Sequence, residues 1–173
     1  MREEEFVKAL LAEGRADAIP EEYDWYAPLI GDWDFDYWDS FGVANPSEKR
    51  HVKGEWLFRR VLEGTGIEDL FICPLRTTRD TDPQPDAEYG VALRMFNAEK
   101  KCYDMVYACK QYMKRLEIHK VAEKIECHVV GEQEKWVFSD ITENTFHWCN
   151  MTLAEDGNWK VNSEIFAKRK VNE

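Results

Sequence analysis

Four charged side chains sit on stretches whose other members are large and apolar, and any chemistry this chain performs would start with them. Arg94 alternates with Ala92 and Phe96, Arg60 with Trp56 and Phe58, Asp69 with Ile67 and Phe71, and Glu164 with Phe166. Residues two apart in an extended strand share a face, so each charge points where its neighbours point. A charge facing an apolar interior must be paired or must meet a ligand, because burying it alone is very costly. Arg94 or Arg60 against a ligand carboxylate is one solution, and the same arginines against Asp69 is another. A third sends one or both arginines to water. Glu164 is divided too: by apolar count the inner face of its strand is Val161, Ser163, Ile165 and Ala167, leaving Glu164 and Lys168 outside, whereas a polar interior reverses this.

Together with aromatics on the same faces, the candidate ligand-binding set is Tyr37, Trp56, Arg60, Asp69, Arg94, Tyr107, Trp148 and Glu164. It suits a small hydrophobic or aromatic molecule that can carry a carboxylate. The rival use is a cofactor-independent lyase or isomerase, with Asp69 or Glu164 as general acid or base beside Arg94 and a tyrosine. The two separate on geometry: catalysis needs a carboxylate, an arginine and a tyrosine in one pocket, with the carboxylate pKa raised. Binding needs a cavity of roughly 300 Å³ or more.

Other chemistries find no support. His51, His119, His128 and His147 fall in separate strands, with no pair at ligand spacing, and no C-x-x-C is present, so no metal or other cofactor is expected. Gly-x-Ser-x-Gly and phosphate-binding glycine loops are lacking. With 23 Lys and Arg against 34 Asp and Glu, the net charge of −11 repels phosphate backbones and anionic lipid, excluding nucleic acid and membrane surfaces as main partners. No stretch is apolar for long enough to span a bilayer, and the N-terminus is too acidic for a signal peptide. Five scattered cysteines fit reduced thiols, hence a cytoplasmic location.

The elements that must position these residues are nearly all strands. Phe6, Val7, Leu10 and Leu11 form a short helical stripe, stopped by Gly14 and Pro20, that would pack on a barrel end or make a homodimer. From Trp33 onward the period is two: Trp33, Phe35 and Tyr37 alternate with Asp32, Asp34 and Asp36. Further strands are expected near 51–63, 67–74, 89–96, 102–109, 114–120, 124–130, 134–141, 145–153 and 159–169. Short turns between them, such as Asp156-Gly157-Asn158, demand antiparallel neighbours. Closing the resulting up-and-down meander of about ten strands into a barrel removes both exposed edges. Residues 1–28 form the helix and lead-in, and 29–173 the all-β barrel. The long segment 76–88, with two prolines and several acids, is a loop that is either a gate or a surface insertion.

Gly31-x-Trp33, at the start of the first strand after a helical lead-in, resembles the signature of the calycin superfamily. Gly54-Glu55-Trp56-Leu57-Phe58, Leu93-Arg94-Met95-Phe96-Asn97 and Phe146-His147-Trp148 are similar to stretches of bacterial lipocalin-like proteins. The resemblance implies a ligand-holding barrel whose tryptophan closes one end beneath a basic residue of the last strand, here Arg169 or Lys168. It implies no named ligand and no catalytic set.

Overall fold

The computed structural model describes residues 2–45 and 47–171. Ten strands follow one short helix: β1 (Gly31–Asp39), β2 (Arg50–Val61), β3 (Gly66–Cys73), β4 (Glu88–Asn97), β5 (Cys102–Ala108), β6 (Met113–Val121), β7 (Lys124–Val129), β8 (Glu134–Ser139), β9 (Thr145–Leu153) and β10 (Trp159–Arg169). Each pairs antiparallel with its sequence neighbour, and β1 pairs with β10 to close the barrel. The expected meander is therefore what forms, with strand ends displaced by a residue or two. None of the five cysteines is in a disulfide, and no described helix is long and apolar enough to cross a membrane.

The base is sealed by the lead-in. Tyr26 and Leu29 are fully buried there, and the Trp33 indole N–H donates to the Leu29 carbonyl at 2.8 Å. Arg169, not Lys168, covers Trp33: its guanidinium carbon lies 4.2 Å from the ring centre, a cation–π distance. The same guanidinium donates to the carbonyls of Ile30, Pro28 and Glu143. Gly31 has φ +131°, and a Cβ there would stand 2.5 Å from Arg169 Nη1. Gly31-x-Trp33 is thus the imprint of an arginine lying across the strand end, with room for no side chain beneath it.

The helix, α1 (Glu3–Leu10), does not close the barrel. Leu11 bridges to Val61 and the Ala12 N–H donates to the Arg60 carbonyl, so the segment lies along the outer wall. No helical residue is buried, and Phe6 is 70 % exposed. Eight residues that open with Glu3, Glu4 and Glu5 cannot sink into an apolar end without desolvating those acids; the uncharged Tyr26 and Leu29 take that place.

On the outer face, Glu55 is buried because others cover it. Arg76 donates to both its oxygens at 2.7 and 2.8 Å, and Lys170 adds a third bond at 2.9 Å. These bonds, Arg76 first, hold its pKa at about 2 against an ordinary 4.5. A depressed folded pKa stabilises the fold above the unfolded value and loses that effect as pH falls through the folded one. Glu55→Gln should therefore destabilise the barrel by about 1–3 kcal/mol at neutral pH. In urea titrations this difference should shrink between pH 4.5 and about 2; a difference unchanged across that range would contradict the clamp.

Candidate ligand-binding site

Inside the barrel, packing loosens from base to mouth. Trp33, Phe58, Phe138 and Phe146 fill the base with tilted and edge-on ring contacts at 4.7–6.4 Å. Above them the register brings charge into the lumen. Asp69 lies opposite Phe58 on β2 and Ala92 on β4, while Arg94 lies opposite Ile67 on β3 and Met105 on β5. Asp69 and Arg94 are thus diagonal neighbours on one face, and the small Ala92 leaves the arginine room to reach across.

Arg94 Nη1 donates to Asp69 Oδ2 at 2.6 Å, and the Trp56 indole N–H donates to Asp69 Oδ1 at 2.8 Å. Both charged side chains are 1 % exposed. The guanidinium carbon sits 4.5 Å from the Tyr26 ring centre and 5.6 Å from that of Phe58. Burial pushes the Asp69 carboxyl above the ordinary range, with Arg94 and the Trp56 hydrogen bond opposing it.

Two donors are left over. Arg94 Nε and Trp148 Nε1 are buried without a hydrogen-bond partner. Both residues line a cavity of about 50 Å³, together with Trp56, Asp69, Phe71, Glu88, Tyr107 and Trp136. Native interiors pair nearly all such donors, so these two stand out.

At the mouth, Tyr107 donates to Glu88 Oε2 at 2.6 Å and Tyr112 reaches the same carboxylate at 3.3 Å. Burial raises the Glu88 pKa despite these bonds. Gly90 makes the contact possible, since a Cβ there would meet the Tyr107 hydroxyl at 2.1 Å. The long loop, 74–87, is held at this end. Arg50 is bonded to Asp39 on one side, at 2.6 and 2.9 Å, and to Asp86 on the other, at 2.7 and 2.8 Å. Gln111 also donates to the Ala87 carbonyl at 2.7 Å.

Of the expected residues, Trp56, Asp69, Arg94, Tyr107 and Trp148 meet around the cavity. Tyr37 shares their inward face but lines an adjoining recess at the mouth with Arg50 and Asp86. Two placements need correction. Arg60 has inward parity but lies at the closed end, in a bidentate pair with Asp24 of the lead-in, both bonds at 2.9 Å. Glu164 is on the outer wall, where His147 bonds it at 3.1 Å, because Ser163, Ile165 and Ala167 take the inside. The apolar count on β10 was the better guide.

A third correction concerns space. The rings meet one another, and 50 Å³ is well short of a drug-sized cavity of about 300 Å³. Glu88 was missed because the strand was started one residue late, although it shares parity with Ala92 and Arg94. Cys127 and Phe71 also line the cavity, and their strand parity would have placed them there.

No family model and no curated protein matches the chain. Solved structures do. The crystal structure of Rv2717c from M. tuberculosis aligns with a TM-score of 0.57 at 9 % identity, over 88 % of this chain and 99 % of that one. The S-type phycobiliprotein lyase CPES from Guillardia theta aligns with a TM-score of 0.54 at 8 % identity, over 88 % and 94 %. The shared feature is the fold, a closed antiparallel barrel. Identities this low carry the fold alone.

Removing one partner of the buried pair should cost far more than removing both. Asp69→Leu strands a buried guanidinium and the Trp56 N–H, and should destabilise by about 3–5 kcal/mol; adding Arg94→Leu should recover most of that loss. Urea denaturation of the two variants decides it, and a double variant weaker than the single one would refute the pairing.

Proposed function

We propose that this barrel binds a small aromatic molecule bearing a carbonyl or carboxylate, which accepts hydrogen bonds from Arg94 Nε and Trp148 Nε1. The observation that carries this reading is the pair of unpartnered buried donors lining one aromatic cavity. An ion pair alone would be a structural feature. Two leftover N–H groups on residues that line one cavity call for an oxygen, from water or from a ligand. Since the resting cavity holds only about 50 Å³, a ligand of useful size enters by displacing rings near the mouth. Phe71 and Glu88 line both the cavity and the mouth recess, so movement there merges the two spaces. On this reading segment 74–87, tied down by the Arg50 bonds to Asp86 and Gln84, is the gate. The likeness to the phycobiliprotein lyase CPES is one of fold and says nothing about which molecule is bound.

A second reading has its own support. Glu88 and Asp69, both with raised carboxyl pKa, stand with Arg94 and Tyr107 around the same cavity. This is the arrangement an acid–base lyase or isomerase needs, with Glu88 at the mouth as proton carrier rather than Glu164.

Tryptophan fluorescence titrations with benzoate, 2-naphthoate, toluene and naphthalene test the binding reading. The carboxylates should bind more tightly than the hydrocarbons. Trp148→Phe, which keeps an aromatic side chain but removes the indole donor, should weaken the carboxylates about 3–10-fold more than the hydrocarbons, the worth of one net hydrogen bond. Absence of saturable binding throughout the panel, or equal weakening of naphthoate and naphthalene, would overturn it.

A further inference from the structure

The outer wall carries a second cluster, unrelated to the lumen. Tyr103 pairs with Ile118 and Asp104 with Glu117, so continuing that register sets Cys102 opposite His119. By strand alternation Cys102, Asp104, Glu117 and His119 share the outer face, opposite to Tyr103 and Ile118, and Cys102 is 0 % exposed there. The donor atoms of Cys102, Glu117 and His119 lie within 4.8 Å of one another. His119 Nε2 is 2.7 Å from Glu117 Oε1, while Lys100 Nζ is 3.1 Å from Glu117 Oε2 and 3.6 Å from Asp104 Oδ1.

We propose that Cys102, Glu117 and His119 form a site for one divalent transition-metal ion of the zinc class, with a water as fourth ligand. Thiolate, imidazole and carboxylate are the mixed donor set that zinc takes in tetrahedral geometry, with bonds of about 2.0–2.3 Å. The cluster is one of convergence across strands, which is why residue spacing along the chain gives no motif. Two antiparallel strands supply a rigid base: Cys102 opens β5, and His119 and Glu117 share a face on β6 two residues apart. Only side-chain rotations are needed to draw the three atoms together. On binding, the Cys102 thiol proton leaves to solvent, the proton on His119 Nε2 is lost there while Nδ1 takes one up, the His119–Glu117 hydrogen bond is replaced by two metal bonds, and the Lys100 ammonium swings out. Lys100 is half exposed and free to do so. It already places positive charge against this acidic corner and so competes with the metal.

Cobalt(II) added to the metal-stripped full chain provides the test. One equivalent should give a thiolate-to-cobalt charge-transfer band in the near ultraviolet. Cys102→Ser should abolish that band although the other four cysteines remain. His119→Gln, at a half-exposed position that does not threaten folding, should weaken binding by about 10-fold or more, and Lys100→Ala should tighten it. The proposal fails if the wild-type chain shows no band, if the band survives Cys102→Ser, or if His119→Gln leaves cobalt affinity unchanged.

Discussion

A guanidinium buried among rings carries a heavy desolvation penalty, and much of the interior is arranged to offset it. Arg94 must keep its charge at the centre of a barrel whose walls are tryptophan, phenylalanine and tyrosine. Asp69 neutralises it at 2.6 Å, Trp56 completes the carboxylate, and the Tyr26 ring faces the cation at 4.5 Å. Each partner comes from a different part of the chain: β3, β2 and the lead-in. The lead-in therefore plugs the base and supplies one wall of the charge site. The same geometry leaves Arg94 Nε unpaired.

The two ends of the barrel are built for different work. At the base, Arg169 binds three carbonyls and covers Trp33, an interlock that joins β1, β10 and the preceding turn and leaves no passage. At the mouth, contacts are polar and made by long side chains: Arg50 between Asp39 and Asp86, and Glu88 between two tyrosines. Such contacts can break and re-form without disturbing a strand.

The strands were legible in the sequence because each alternates cleanly and each turn carries its own chemistry; Asp32 to Tyr37 is the plainest case. The inward arginine and aspartate were legible from parity alone. Parity tells which way a side chain points but not how far along the barrel axis it lies. Arg60 and Arg94 therefore looked equivalent, although one is at the sealed base and the other at mid-lumen. Nor does parity give volume. Whether facing rings touch or enclose a hollow depends on barrel diameter and ring rotamers, which no single strand encodes. Convergence across strands, as in Cys102 and His119, is hidden for the same reason: it depends on a register that only the folded sheet reveals.

Nitrogen-15 NMR of the arginine Nε–H and tryptophan indole N–H groups tests the central claim most directly. With seven tryptophans the indole region is resolvable. Adding 2-naphthoate should move the Trp148 indole and Arg94 Nε–H signals together, in the direction of a newly accepted hydrogen bond, and leave the Trp33 signal in place. Shifts confined to rim residues, or none at saturating naphthoate, would show that the buried donors serve only the fold.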